Sequence, residues 1–179
     1  MATMQPTYTL QRIEATEAEA LLADLTRLLQ DAVESEASLG FWRPLDDTEA
    51  EDYWRGVFAD LRMGKRALLV AWQNGAVVGS VQLELAGKPN GRMRAEVQKL
   101  MTLRAARRQG IGRALLRDIE REALARGRTL LVLDTRTGDA AEKLYRSHGY
   151  TEAGRIPGYT IEADGSRGDT TIFYRSLSG

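Results

Sequence analysis

Apolar residues along the first third of the chain recur at helical spacing. Thr16 with Glu19 and Thr48 with Glu51 have the spacing of a capping box, so each pair predicts the start of a helix. Residues 8–13, where apolar and polar side chains alternate, predict a strand before the first helix. The apolar stripe of that first helix consists of Leu21, Leu22, Leu25, Leu28, Leu29 and Val33.

In the middle of the chain the apolar residues are spaced as in β-strands. Two β-type runs, "ALLVAWQ" and "AVVGSVQLELA", flank Asn74-Gly75, which predicts a hairpin with antiparallel strands. "KPNG" is typical of a turn, and residues 94–103 predict a further strand. An amphipathic helix is predicted after Gly112, ending at Gly127, with Leu115, Leu116, Ile119 and Ala123 on its buried face.

The last third combines a buried strand with a short helix. Residues 129–135 are apolar almost throughout, which predicts a central strand covered on both faces. Asp139 with Glu142 predicts a helix that Gly149 ends, and one or two strands follow, the last in "TTIFYRSL". The order of elements predicts a mixed α/β sandwich that forms a single domain over residues 1–179.

Composition excludes several classes of function. The 25 basic and 25 acidic side chains cancel, so the basic excess that binding to nucleic acid requires is absent. The sequence has no cysteine and only one histidine, His148, which excludes thiolate chemistry and two-histidine zinc sites. We expect His148 to cap a helix rather than to act in catalysis, and we expect no metal.

No segment of the sequence predicts a membrane association. The first twenty residues have neither a basic start nor an uninterrupted apolar run, and no later run is long enough to span a bilayer. We therefore expect a cytoplasmic protein whose partner is a small molecule, acting as a monomer or a homodimer.

A basic, glycine-rich turn precedes the amphipathic helix. A strand, a glycine turn and a helix together direct free main-chain N–H groups and the positive end of a helix dipole at one place, which favours an anion. "RRQGIGRAL" lacks the third glycine of a dinucleotide fingerprint and the Gly-Lys-Ser/Thr of a phosphate-binding loop. Arg107, Arg108 and Arg113 around Gly110 and Gly112 suit a pyrophosphate, although two glycines could also serve the turn alone.

This turn carries a family resemblance. "TLRAARRQGIGRALL" resembles the acetyl coenzyme A binding signature of the GNAT superfamily of N-acetyltransferases, through Arg107, Gly110 and Gly112. "NGRMRAEVQKLMTL", "LDT" and "PGYTIEADG" are similar to the tabtoxin resistance subgroup, whose members acetylate a small toxic amine. A second superfamily motif is matched in "AAEKLYRSHGY" by Ala141, Leu144, Tyr145, Gly149 and Tyr150.

The resemblance implies a fold, a cosubstrate and a set of contacts. The GNAT fold is a central mixed, mostly antiparallel sheet of about seven strands, splayed between strands 4 and 5 and flanked by about four helices. Tyr145 matches the tyrosine that faces the coenzyme sulfur, and Gly138 stands where many members have an asparagine that touches the cofactor. Acetyl coenzyme A is expected to bind Leu100, Met101, Thr102, Arg107, Arg108, Gln109, Gly110, Ile111, Gly112, Arg113 and Tyr145.

Acetyl transfer to an amine needs a base, an oxyanion donor and an acid. Glu96 and Asp134 are charges within apolar strands, and if those strands are the splayed pair both can bind an ammonium group and accept its proton. The alternative is an ion pair with Arg94 or Lys99, or a turn role for Asp134. Tyr145 is the candidate acid, and a main-chain N–H at a bulge near residues 100–102 is the candidate oxyanion donor.

Three readings of the function remain open from the sequence. The leading one is direct transfer to the primary amine of a small molecule, such as an amino-acid-like toxin or antibiotic, in a pocket shaped by Phe41, Trp42 and Tyr159. A protein or peptide N-acetyltransferase would need an open groove instead. A catalytically silent acyl coenzyme A sensor would not need Tyr145, Glu96 and Asp134.

Overall fold

Element boundaries follow the changes in apolar spacing. The computed structural model describes residues 7–35 and 39–178, which contain seven strands and four α-helices. In chain order these are β1 (Thr9–Arg12), α1 (Leu22–Glu34), α2 (Asp47–Arg62), β2 (Arg66–Gln73), β3 (Ala76–Leu85), β4 (Arg94–Thr102), α3 (Ile111–Ala125), β5 (Leu130–Arg136), α4 (Ala140–Ser147), β6 (Thr151–Ile161) and β7 (Arg167–Ser176).

Both predicted capping boxes are wrong, although the helices exist. Ala18–Leu21 form a 3-10 turn, so α1 begins after the place that Thr16 predicted. At α2 the N-cap is Asp46, whose Oδ1 accepts the main-chain N–H of Glu49 at 2.8 Å. Aspartate caps a helix as well as threonine does, so Asp46 caps the first turn of α2 and Thr48 lies within that turn.

The Asn-Gly hairpin forms as predicted because its signal is local. Asn74 and Gly75 have φ values of 51° and 77°, the left-handed values of a type I′ turn, whose twist matches that of the flanking strands. β2 and β3 therefore pair antiparallel from Gln73 and Ala76 back to Arg66 and Glu84.

The sheet has the order β1-β2-β3-β4-β5-β7-β6 and is antiparallel except between β4 and β5. These two strands pair in parallel only over Arg94 to Glu96, opposite Leu130 to Val132. Beyond those residues β4 runs on to Thr102 and β5 to Arg136 without pairing to each other. The predicted mixed α/β sandwich, splayed between its fourth and fifth strands, is thus confirmed.

Helices cover the sheet from both faces and make two cores. The leucines of α1 pack with Trp54 and Phe58 of α2 against one face, and Leu115 and Leu116 of α3 pack against the other. None of the helices in the described ranges is long and apolar enough to cross a membrane.

The expectation that β5 is covered on both faces is wrong. Leu131 and Leu133 are buried against the α3 side, but Val132 is only half-buried and Asp134 is exposed. The uncovered face lies where β5 has left β4, so the run of apolar residues borders an opening.

Candidate active site

A cleft of about 690 Å³ lies at the open ends of β4 and β5. Its walls are the last residues of these strands and the first turns of α3 and α4. The residues that line it are Ala32, Ser35, Leu100, Met101, Thr102, Ala106, Arg107, Arg108, Gly110, Ile111, Gly112, Arg113, Arg136, Asp139, Ala140, Ala141, Leu144 and Tyr145. Of the residues predicted to bind acetyl coenzyme A, all but Gln109 are in this set.

The turn before α3 presents an array of free main-chain N–H groups to the cleft. Arg108 and Gly110 have φ values of 64° and 83°, which bend the chain sharply into the helix. No acceptor within the described ranges bonds the main-chain N–H groups of residues 108–113, and the first bond of the helix runs from Ala114 N to Gly110 O. Because these donors sit at the positive end of a helix of 15 residues, the turn is suited to an anion.

Side chains fix this turn to the rest of the fold. Arg107 donates from Nη2 to Ser35 Oγ at 2.5 Å and from Nε to the main-chain oxygen of Thr102 at 3.3 Å. Gln109, in contrast, accepts from Gln73 Nε2 at 2.9 Å, a contact with the β2–β3 hairpin. This contact explains why Gln109 is absent from the cleft wall.

Tyr145 is a buried residue of α4 that lines the cleft. Its ring lies 5.7 Å from that of Tyr150 and 6.0 Å from that of Phe173, between ring centroids. Burial, and to a smaller extent the Asp134 carboxylate, raises the pKa of the phenol well above its ordinary value. Its hydroxyl has no hydrogen-bond partner in the part of the chain that the structure describes. The phenol therefore stays protonated and has a hydrogen bond to donate.

Glu96 and Asp134 lie on the same face of the sheet. Glu96 is opposite Val132, the last paired residue before the strands separate, and Asp134 follows two positions later on β5. Glu96 Oε1 accepts from Gln98 Nε2 at 2.9 Å, and Asp134 Oδ2 accepts from Thr170 Oγ1 at 2.9 Å.

The ion pairs considered for these carboxylates do not form. Within the described ranges neither Glu96 nor Asp134 has a basic nitrogen within 4 Å, so neither is bound to Arg94 or Lys99. The structure thus brings the two predicted bases to the start of the opening, where they retain acceptor capacity.

A β-bulge interrupts β4 beside the cleft. The pairing with β3 steps from Gln82–Gln98 to Ser80–Met101, so Lys99 and Leu100 together lie opposite a single residue of β3. A bulge leaves a residue outside the regular ladder, which can free a main-chain N–H for an oxyanion. The bulge begins one residue before the predicted range, at Lys99, whose φ is 49°.

A second cavity, of about 450 Å³, adjoins the cleft at Arg136, which lines both. Phe41 and Trp42 line this cavity together with residues of the β6–β7 loop. Trp42 Nε1 donates a hydrogen bond to the main-chain oxygen of Ile161 at 3.0 Å. This bond joins the α1–α2 loop to the end of β6. Tyr159 is 55% exposed and does not line the cavity.

Residues of the cleft that sequence reasoning missed come from the starts and ends of other elements. Ser35 follows α1, Arg136 ends β5, and Asp139 precedes α4. The helix predicted from Asp139 and Glu142 does begin there, with Asp139 as its N-cap residue, and the main-chain oxygen of Asp139 accepts the N–H of Glu142. Burial, opposed by Arg136, raises the pKa of Asp139. No motif marks Ser35 or Arg136 in the sequence, and the helix signal at Asp139 does not indicate that this residue lines the cleft.

The structure also shows where His148 lies and whether side chains gather as in a metal site. His148 is the C-cap residue of α4, and its Nε2 is 3.3 Å from Glu120 Oε2, outside the cleft wall. No group of three histidine, cysteine or acidic side chains that could hold a metal occurs in residues 7–35 and 39–178.

Comparisons with known proteins agree with this geometry. Residues 64–152 match the acetyltransferase (GNAT) domain family. An uncharacterized N-acetyltransferase from the hisH-hisA intergenic region of Azospirillum brasilense is 34% identical over 118 residues, which are 64% of this chain and 68% of that protein. The crystal structure of a ribosomal-protein-alanine N-acetyltransferase from Brucella melitensis is 27% identical, with a TM-score of 0.75 over 94% of this chain and 99% of that one.

A further structure shows the same fold. The yncA protein from Salmonella typhimurium, solved with its cofactor acetyl-CoA, is 22% identical, with a TM-score of 0.74 over 96% of this chain and 95% of that one. Sequence match, relative and fold all lead to one conclusion. The chain belongs to the GNAT acetyltransferase family.

Proposed function

We propose that the protein transfers the acetyl group of acetyl coenzyme A to the primary amine of a small molecule, by direct attack in a ternary complex. The observation that carries this proposal is the row of main-chain N–H groups over residues 108–113, at the start of α3, that bond to no acceptor in the described part of the chain. We expect the enzyme to act in the cytoplasm, as a monomer or a homodimer.

Donor groups and unpaired strand edges in the cleft support acetyl coenzyme A as its ligand. The free N–H groups and the guanidinium groups of Arg107, Arg108 and Arg113 suit the pyrophosphate. The unpaired inner edges of β4 and β5 leave main-chain groups for an amide-containing arm, as in the family. When bound, the cosubstrate supplies an acetyl thioester.

The protein's own residues supply the proton transfers. An alkyl amine with a pKa near 10 is neutral only about one part in a thousand at pH 7, a cost of roughly 4 kcal/mol that a base can reduce. Glu96 and Asp134 would hold the ammonium group and receive its proton. The phenol of Tyr145 would donate a hydrogen bond to the departing sulfur. Because burial raises its pKa further, complete proton transfer from Tyr145 is less favourable than for an ordinary tyrosine.

A small acceptor is supported by the second cavity. Its volume of about 450 Å³ is within the range of small-molecule sites, and the Trp42 to Ile161 hydrogen bond spans one side. The likeness to the tabtoxin resistance subgroup adds amino-acid-like toxins to the expected acceptors. A peptide acceptor is the alternative, because the Brucella melitensis relative is named for acting on a ribosomal protein.

Calorimetry with acetyl coenzyme A and a thiol-release screen test the proposal. The screen should cover amino acids, β-lactam amines, polyamines and peptides. We expect saturable cofactor binding and turnover with a small amine. Turnover confined to peptides would favour the alternative, binding without turnover would indicate a sensor, and no binding at saturating concentration would refute the proposal.

A further inference from the structure

Lys99 is held in an unusual main-chain conformation beside the cleft. It is the first residue of the β4 bulge and has a φ of 49°, in the left-handed region that a lysine rarely adopts. A sparsely populated conformation persists only where surrounding structure enforces it, and such residues cluster at functional sites. The bulge lies just beyond Glu96, where the pairing of β4 with β5 ends, so Lys99 is a cationic residue beside the opening.

Two aromatic rings contact the Lys99 ammonium group. Nζ lies 5.8 Å from the ring centroid of Phe41, which lines the second cavity, and 5.5 Å from that of Tyr53. In the part of the chain that the structure describes, Nζ has no hydrogen-bond acceptor and no carboxylate within 4 Å. Lys99 is thus a half-buried cation without an anionic partner, next to the cavity proposed for the acceptor.

Unpaired negative charges lie close by. Burial lowers the pKa of Lys99, and the carboxylates of Asp134 and Glu96 oppose that shift, so both are near enough to act on its charge. Among residues 7–35 and 39–178 neither carboxylate is paired with a cation, whereas Arg66 is already bound to Glu84 at 3.0 Å. The site therefore holds two carboxylates and one ammonium group that influence one another without pairing.

This arrangement of charges discriminates between classes of amine. An amine with no other charge would satisfy the carboxylates and leave Lys99 unpaired. A diamine or polyamine would bring a second ammonium group toward Lys99, where like charges repel. An amino acid carries both charges a few ångströms apart and would pair each of them with its opposite.

We propose that the acceptor is a zwitterion, an amino acid or a short amino-acid derivative, whose ammonium group binds Glu96 and Asp134 and whose carboxylate pairs with Lys99 Nζ. This inference rests on the proposed acetyl coenzyme A dependent function and deepens it. It makes Lys99 a residue that determines specificity and takes no part in proton transfer.

Matched acceptors provide the test. Thiol release is measured at a fixed concentration of acetyl coenzyme A with each standard amino acid, its amide and its decarboxylated amine, and the same compounds are titrated calorimetrically into the protein with coenzyme A. We expect the acid of the best series to exceed its amide about 10- to 100-fold in kcat/KM, the usual effect of one charged contact. Lys99→Met should abolish that ratio, and Lys99→Arg should retain most of it.

The control distinguishes recognition from a structural role. Lys65→Met removes an exposed lysine elsewhere and should leave the ratio of acid to amide unchanged. If Lys99 only stabilised the rings, its loss would lower acid and amide equally, and that result would overturn the inference. Equal use of acid and amide by the wild type would overturn it too, as would acetylation of no amino acid in the panel. Calorimetric binding of acetyl coenzyme A, measured separately, shows whether the proposed function itself stands.

Discussion

Tyr145→Phe separates the chemical role of the phenol from its packing. The ring of Tyr145 packs against Tyr150 and Phe173, and phenylalanine keeps all of those ring contacts. The hydroxyl bonds to no side chain or main-chain group within the described ranges, so its removal strands no donor or acceptor. The substitution therefore removes only what the hydroxyl gives to a ligand.

The expected effects of Tyr145→Phe on stability and on turnover differ enough in size to be measured separately. With no partner left unsatisfied, we expect the free energy of unfolding to change by less than about 1 kcal/mol. A hydrogen bond to a charged group contributes about 1.5 to 3 kcal/mol, so losing the one from Tyr145 to the departing sulfur would lower the rate about 10- to 150-fold. We expect kcat to fall by that factor while the urea midpoint barely moves.

Tyr150→Phe is the matched control. Tyr150 is as buried as Tyr145 and in contact with it, but it does not line the cleft. Turnover is measured by thiol release with the best acceptor of the screen, and unfolding by circular dichroism in urea. The reasoning fails if Tyr145→Phe retains kcat within about threefold of the wild type, or if both substitutions lower it equally.

Three further results are expected. Gly110→Ala should lower the free energy of unfolding by about 1 to 2 kcal/mol, because φ is 83° there. Gly112→Ala should not lower the free energy of unfolding, since the added Cβ meets nothing closer than 3.6 Å. Equal urea midpoints for the two variants would contradict the expected difference between them. Glu96→Gln should raise KM for the amine about tenfold and leave acetyl coenzyme A affinity unchanged by calorimetry; an unchanged KM would exclude Glu96 from amine binding. Burial raises the pKa of Tyr53 to about 12, so in the unfolded chain it loses its proton first, near pH 10. The free energy of unfolding should therefore fall as pH rises from about 10 to 12. The fall should be less steep in Tyr53→Phe. Identical urea midpoints for wild type and variant across that range would contradict this prediction.

Features with a local cause could be predicted from the sequence. The Asn74-Gly75 turn needs only two left-handed residues, and the leucine stripe of α1 needs only its own spacing. Helix starts could not be read so well, because Asp46 and Thr48 are both good caps and only the surrounding packing selects between them. The buried face of β5 was overestimated for a similar reason, since an apolar run does not show where its neighbour departs.

The residues of the candidate site also differ in whether the sequence could predict them. The cofactor contacts predicted at residues 107–113 are contiguous in the sequence, so one motif predicts nearly all of the cleft wall that α3 and the turn before it provide. Ser35 and Arg136 reach the cleft from distant parts of the chain and carry no motif. The position of the Lys99 ammonium group could not be predicted either, because it depends on where the rings of Phe41 and Tyr53 lie.

The bulge in β4 connects the opening of the sheet to the chemistry. A bulge bends its strand and increases the local twist, so a strand that bulges at Lys99 and Leu100 diverges from a regular neighbour. Pairing with β5 ends at Glu96, shortly before the bulge, while pairing with β3 continues on both sides of it. In the proposed mechanism the same two residues adjoin the opening, offer a main-chain N–H group to the oxyanion, and place a lysine beside the acceptor. A regular β4 would provide none of these, which is a physical reason for the protein to hold Lys99 in a conformation that lysine disfavours.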